Sequence, residues 1–441
     1  MGKNQYIVAI EIGSSKIVGV IAQKELPEGT VSIISVQDTK ISECVRYGCI
    51  KNVEEVKRGI QDVIQKLTSK AKTDAQITSI YLSLAGRSIR NEVNQVSQQL
   101  NKDTAITQNM IDRLVKKALQ TDKKGFEAID VVPQKFHIDN VEEKKPVGVF
   151  GSNITANVNT IIGKTTIRTN LKRAIDSSIK VHDFIITPLA VVKHVLSYNE
   201  RQLGCMLVDM GAETTTVVIC KNDAIIHLAT LPFGGRNITR DIMSLNVLED
   251  KAEELKLSVG NAMPTESSIN VDGIPVKDVL KHVESRCGEI VANINEQLKI
   301  ANVRPEELSE GIILIGGASY LPGMAELIEK TTTLKVKRGS YPQHVNNASK
   351  IANSSNLYIQ AVSVATEAAE RIDPEISCIV IAPKKDDSQN DEIKKKEEED
   401  NKDKDTIKKP SRISQILSGF KNIFNEKDDE DEYDEDNVYD E

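Results

Sequence analysis

At 441 residues with 39% apolar side chains, the chain is long enough for two or three domains with cores of their own. Its net charge of −8 is unevenly held, because residues 384–441 carry 12 Lys+Arg against 21 Asp+Glu and leave the first 383 residues near neutrality. Neither part is a basic nucleic-acid binder, the lack of tryptophan and the few aromatics argue against a base-stacking platform, and no stretch approaches the eighteen or so apolar residues a spanning helix needs.

The chain opens as strand, turn, strand: Tyr6–Ile12, a Gly13-Ser14-Ser15 turn, then Lys16–Ile21, with a third strand near Val31–Val36. A helix follows with Val53, Val56, Ile60, Ile64 and Leu67 on one face and Asn52 as its cap. Ile80–Leu84 is a further strand. Residues 86–165 read as a self-contained α+β insert, with a helix at Gln108–Leu119 and strands near Ala128–Ile138 and Ile154–Ile162. Ile167–Ile179 is expected to be helical and Phe184–Ile186 a short apolar strand.

The pattern then restarts. Cys205–Asp209 is a strand, Gly211–Thr216 a turn, Val217–Cys220 a strand and Ala224–Leu231 a third. Helices are expected at Arg236–Met243, Leu248–Leu257 and Val276–Leu298, a buried strand at Ile312–Ile315, and a closing helix at Ala361–Ala369. Two halves that each open with three strands and a glycine hairpin imply a duplicated α/β fold with mixed sheets and a cleft between the halves.

The last sixty residues are of another kind. A segment of almost pure Lys, Asp and Glu cannot bury enough apolar surface to fold. It delivers one short amphipathic helix, in which Ile413, Ile416, Leu417, Phe420, Ile423 and Phe424 fill a single stripe. Pro410 and Ser411 supply its start signal, and Lys427–Glu441 carries ten acids and one lysine. Such a helix has no core of its own, so it seeks a membrane surface or a groove on a protein. Its clean apolar face and two phenylalanines favour the membrane.

The N-terminus lacks the plan of a signal peptide, and Tyr6 stands where a myristoylation motif wants Ser or Thr. Cys44, Cys49, Cys205, Cys220, Cys287 and Cys378 are scattered and read as reduced thiols of a cytoplasmic body. His137, His182, His194, His227, His282 and His344 show no ligand spacing and read as core or surface residues. Gly163-Lys164-Thr165 matches only the end of a P-loop, since Val158 stands where its first glycine belongs.

Three glycine-marked turns at strand ends carry the chemistry. Glu11-Ile12-Gly13-Ser14-Ser15-Lys16 and Asp209-Met210-Gly211-Ala212-Glu213-Thr214 each supply an acid, then backbone N–H groups and hydroxyls that suit phosphate. An acid beside phosphates makes sense as a holder of Mg2+ through water. Gly316-Gly317-Ala318 lets a flat ring lie on the backbone.

These residues resemble the actin-like ATPase superfamily, and within it the FtsA cell-division family. The resemblance rests on Ile129–Asp139 with Pro146-Val147-Gly148 and Gly151, on Phe233-Gly234-Gly235 with Ile238-Thr239 and Asp241-Ile242, on Ala252-Glu253 with Leu255-Lys256 and Gly260, and on Gly311–Gly323. It implies actin-like domain 1 at 1–85 and 166–200, an FtsA-type inserted subdomain at 86–165, and domain 2 at 201–383 with a subdomain at about 240–305. A charged linker at 384–410, a membrane-targeting helix at 411–425 and an acidic end at 426–441 complete the plan.

By the same resemblance the cofactors are ATP and Mg2+. Gly13, Ser14, Ser15, Lys16, Gly211, Ala212 and Thr214 would lie against phosphates. Glu253 and Lys256 would flank ribose and adenine, Gly316, Gly317 and Ala318 would back the base, and Glu11 and Asp209 would hold Mg2+ through water. The implied partners are the C-terminal peptide of FtsZ near Arg286, further copies of the chain in filaments, other division proteins on the insert, and membrane lipids at the cytoplasmic face of the division site. Several positions depart from the family. Glu11 replaces an Asp, Ala212 and Glu213 stand where glycines are usual, and Thr187 occupies a position where filament relatives place a glutamate that orients water. Glu213 must therefore point away from bound phosphate or repel it. The departures favour a nucleotide switch over a fast ATPase. Other actin-like scaffolds of the MreB or pilus-assembly type, or a small-molecule kinase, are the alternatives.

Overall fold

The computed structural model describes residues 4–70, 75–120, 123–351 and 356–381. The charged linker, the amphipathic helix expected at 411–425 and the acidic end lie outside them. The described chain forms two compact units. The larger draws on residues up to Val93, on 123–134 and on the described residues from Asn159 onward, and the smaller on Asn94–Gln120 and Lys135–Val158.

The larger unit contains two sheets of one design. The first has the order Lys180–Ile186, Ser79–Leu84, Asn4–Ile12, Lys16–Glu25, Val31–Lys40, Val345–Asn346. Its first three strands in sequence form an antiparallel meander, and Ser79–Leu84 and Lys180–Ile186 then add in parallel beside Asn4–Ile12. The second sheet has the order Ala224–Leu231, Thr215–Lys221, Cys205–Met210, Ile312–Ile315, Val336–Arg338. Again three strands meander and two follow in parallel. The duplication expected from the two openings is present over five strands of each sheet, with Val345–Asn346 added at the edge of the first.

These strands are near-continuous apolar runs because both faces are covered. Ile17 to Ala22 are all buried, as are Cys205 to Val208. Helix Val53–Lys70 packs on the first sheet through Val56, Gly59, Ile60, Val63 and Leu67, and Asn52 Oδ1 accepts from the Glu55 N–H at 3.2 Å as its cap. Helix Ile359–Arg371, rich in alanine and valine, lies against the first two strands of that sheet.

One expectation needs correction, and one helix was not anticipated. The helix expected at Ile167–Ile179 is Thr165–Arg173 instead. Asp176 Oδ1 accepts from the Ser178 N–H and Oγ at 3.0 and 2.9 Å, and this side-chain turn replaces the last helical turn. Helix Thr187–Val195, with Pro188 in its first turn, was masked by the apolar run that precedes it.

The long strand Arg90–Ala105 passes into the smaller unit and has no apolar alternation to announce it. It sits at the edge of a four-stranded sheet in the order Val141–Glu143, Phe126–Ile138, Phe150–Lys164, Arg90–Ala105, and its stretch Val93–Gln95, with Ser97 and Gln99, faces solvent. Helix Gln108–Ala118 buries Ile111, Leu114, Val115 and Ala118 in the smaller unit.

Candidate functional site

The first strand of each sheet ends in the same way. Glu11 pairs with Val18 and Asp209 with Thr216, each one step before the last residue of its strand. Each hairpin then closes over four residues, with the Gly13 N–H donating to Lys16 O at 3.0 Å and the Gly211 N–H to Thr214 O at 2.8 Å. The duplicated topology therefore delivers one half-buried carboxylate and one glycine turn from each half.

The two carboxylates share a poorly solvated space. Burial drives the Glu11 pKa up to about 7, with Lys16 opposing the rise and the Asp209 charge adding to it. Burial likewise lifts Asp209 to about 6, against a hydrogen bond from Gln360 Nε2 at 2.8 Å. Two acids held partly out of water, of which Glu11 has only Lys16 as a nearby compensating charge and Asp209 only the Gln360 amide, form a ready position for a divalent metal.

The second hairpin is built into the following helix. Gly211 O and Ala212 O accept from the Gly235 and Arg236 N–H groups at 3.0 and 2.7 Å. A Cβ on Gly234 would stand 2.6 Å from both carbonyl oxygens, so no other residue permits this approach. Gly316 has φ +87°, and a Cβ there would lie 2.4 Å from Met210 O and 2.5 Å from Asp209 Oδ1. A Cβ on Gly317 would meet nothing within 4 Å. A Cβ on Gly235 would meet Ala318 at 3.1 Å and Lys256 Nζ at 3.6 Å. Lys256 Nζ also donates to Glu253 Oε2 at 2.6 Å and Thr239 Oγ1 at 3.0 Å. Asp209, Gly211, Ala212, Glu253, Lys256, Gly316 and Ala318 are thus gathered along one chain of contacts, with Gly317 beside open space.

Glu213 departs from that group. Its carboxylate is fully buried and turned into a cluster of cations: Arg46 at 3.1 Å, Arg240 at 2.5 Å and Arg236 at 3.7 Å, with the Tyr47 N–H donating at 2.8 Å. Its charge is consumed there. Of the two orientations left open by the sequence, the fold takes the one that turns the carboxylate into the arginines. Lys16 is also drawn aside. Its ammonium donates to Leu357 O at 3.1 Å and lies 4.2 Å from the centre of the Tyr358 ring. Ser14 is buried and Ser15 exposed in the first hairpin, and Thr214 is half-buried in the second.

Arg286 stands apart, on helix Val276–Ile300. Its Nε and Nη2 grip the two oxygens of Asp241 at 2.6 and 2.9 Å, and Nη1 reaches Glu289. Sequence reasoning missed Gln360, Thr239, Tyr358 and the arginines around Glu213. Arg236 and Arg240, spaced i,i+4 on one helix, were the only readable sign of that cluster.

Comparison with known proteins supplies the family. The profile of "Cell division protein FtsA" matches residues 206–355, and that of the "SHS2 domain inserted in FTSA" matches 86–162. A cell division protein FtsA of Buchnera aphidicola is 30% identical over 375 residues, covering 80% of this chain and 88% of its own. The chain belongs to the FtsA cell-division protein family. The FtsA of Streptococcus pneumoniae is also 30% identical, over 76% of each chain, and that of Porphyromonas gingivalis 28%, over 76% of this chain and 73% of its own. Among solved structures, a PilM–PilN type IV pilus biogenesis complex shares the fold, with TM-score 0.56 and 14% identity over 82% of this chain and 98% of that one. The fold class is accordingly the actin-like duplicated α/β architecture with the inserted domain of the FtsA family, and among the described residues no helix is long and apolar enough to cross a membrane.

Proposed function

We propose that this FtsA-family chain binds ATP with Mg2+ between its two sheets, assembles into filaments, and ties the FtsZ ring to the cytoplasmic membrane. The observation that carries the nucleotide reading is the Glu11–Asp209 pair, two acids set by duplicated strand ends beside duplicated glycine turns. Glu11 and Asp209 would hold Mg2+, which would neutralise the pair when bound. Gly13, Ser14, Ser15, Gly211, Ala212 and Thr214 receive the phosphates, and Lys16 joins them by leaving Tyr358. Gly316, Gly317 and Ala318 support the base beside Glu253 and Lys256. The fit is supported by approaches at Gly234 and Gly316 that admit no Cβ, and by the open space at Gly317.

The chain acts as a switch. Thr187, which replaces the water-orienting glutamate, is buried and its hydroxyl lacks a partner. Hydrolysis is therefore slow, and bound ATP favours the closed form that self-associates. One amphipathic helix of six partly buried side chains, each worth roughly 1.5–3 kcal/mol when fully buried, binds a membrane weakly, and a filament presenting many copies binds well. The FtsZ tail docks along helix Val276–Ile300 near Arg286, and further division proteins dock on the insert.

Co-sedimentation with liposomes tests the reading. FtsZ should pellet with vesicles when ATP and the intact chain are present, and stay in solution when the chain ends at Pro410. Pelleting of this protein without FtsZ retains the membrane helix and rejects the partner. If neither pellets, the helix serves a protein groove.

A further inference from the structure

The fold joins two histidines that lie far apart in the sequence. His194 is near the end of helix Thr187–Val195. His344 lies in the connection between strands Val336–Arg338 and Val345–Asn346, and Glu370 is near the end of helix Ile359–Arg371. One ligand atom from each falls within 4.8 Å of the others. His194 Nδ1 is 3.9 Å from Glu370 Oε1, and the two imidazole centres are 5.5 Å apart.

The His194 ring is supported from behind. It is buried, and Nε2 lies 2.9 Å from Glu367 Oε2. Glu367 is itself buried. Arg371 Nε at 2.7 Å and Lys193 at 3.1 Å hold its carboxylate in place. With Nε2 occupied by the Glu367 carboxylate, Nδ1 is the ring nitrogen that lies toward Glu370. A carboxylate behind a histidine in this way is the support that metal-binding imidazoles use.

We propose that His194, His344 and Glu370 form a site for a zinc-type divalent cation, with Glu367 as the positioning residue. Ligand atoms 2.0–2.2 Å from a tetrahedral ion are about 3.4 Å from one another, so closing the site needs movements of about an ångström. His344 and Glu370 are exposed, so their side chains have room to make them. The rival account is a surface ion-pair network centred on Lys193. Lys193, however, holds Oε2 of Glu370, which leaves Oε1 for the metal. Glu367 and Glu370 are balanced in charge by Lys193 and Arg371, so the imidazoles decide the affinity. That favours Zn2+, Co2+ or Ni2+ over Mg2+. Because His344 sits where the chain crosses from the second sheet to the edge of the first, the ion would pin that connection to two helices of the first sheet.

The test uses the full chain, stripped of metal and titrated with Co2+. One equivalent should produce the visible absorption of a tetrahedral site, Zn2+ should displace it, and millimolar Mg2+ should not. His344→Ala and Glu370→Gln, both at exposed positions, should each weaken binding about 10- to 100-fold and abolish the rise in Tm that zinc gives the native chain. Absence of a tetrahedral band in the native chain would overturn the proposal. So would equal affinity in His344→Ala, or displacement of Co2+ by Mg2+.

Discussion

Replacing Glu11 by Gln removes a carboxylate that the fold holds partly out of water. Its pKa stands at about 7 rather than 4.5, mainly through burial. Below the unfolded value both states are protonated and the site costs nothing. Between 4.5 and about 7 the unfolded chain releases a proton that the folded chain keeps, so stability falls as pH rises. Above about 7 the full penalty is present, at most roughly 3 kcal/mol by conversion of the shift. Partial exposure of the side chain trims this to about 1–2 kcal/mol.

Glu11→Gln should therefore be more stable than the native chain by about 1–2 kcal/mol at pH 8, and equal to it within about 0.5 kcal/mol at pH 4.5. Urea unfolding in EDTA, followed by far-UV circular dichroism because the chain has no tryptophan, measures both values. Adding Mg2+ and ATP should reverse the order at pH 8, since only the native chain presents the full carboxylate pair. Destabilisation at pH 8, or the same difference at both pH values, would refute the desolvation argument. A stabilised variant that still binds Mg·ATP at native affinity would remove Glu11 from the metal site.

Glu213→Gln leaves Arg46, Arg236 and Arg240 facing a neutral amide and should cost about 3–5 kcal/mol, read as a lowered urea midpoint. Gly316→Ala combines a positive φ with contacts of 2.4–2.5 Å and should destabilise the fold and abolish nucleotide binding. Gly317→Ala should keep the native melting curve and weaken ATP binding about tenfold, because its methyl enters the open space beside the base. Equal losses in the two glycine variants, measured by equilibrium dialysis, would count against this placement of the base. Leu417→Asp puts a charge in the apolar stripe and should prevent pelleting with vesicles while ATP binding is unchanged.

The sequence by itself determined what depends on neighbours in the chain. Runs such as Tyr6–Ile12 and Cys205–Asp209 declare strands because both of their faces must be covered, and the spacing from Val53 to Leu67 declares a helix because it buries one stripe. The glycine turns and the acids before them were legible as local spacings, while the insert signature at Ile129–Asp139 and the motifs after it carried the family resemblance. Strand Arg90–Ala105 was not, since a polar edge strand gains its stability from a partner that local pattern cannot reveal. Only the tertiary structure decided where charges are used. Glu213 meets Tyr47 across 166 residues, Asp209 meets Gln360 across 151, and His194 meets Glu367 across 173. Each of these side chains has several allowed directions, and the choice follows from the partner that long-range packing brings within hydrogen-bond reach.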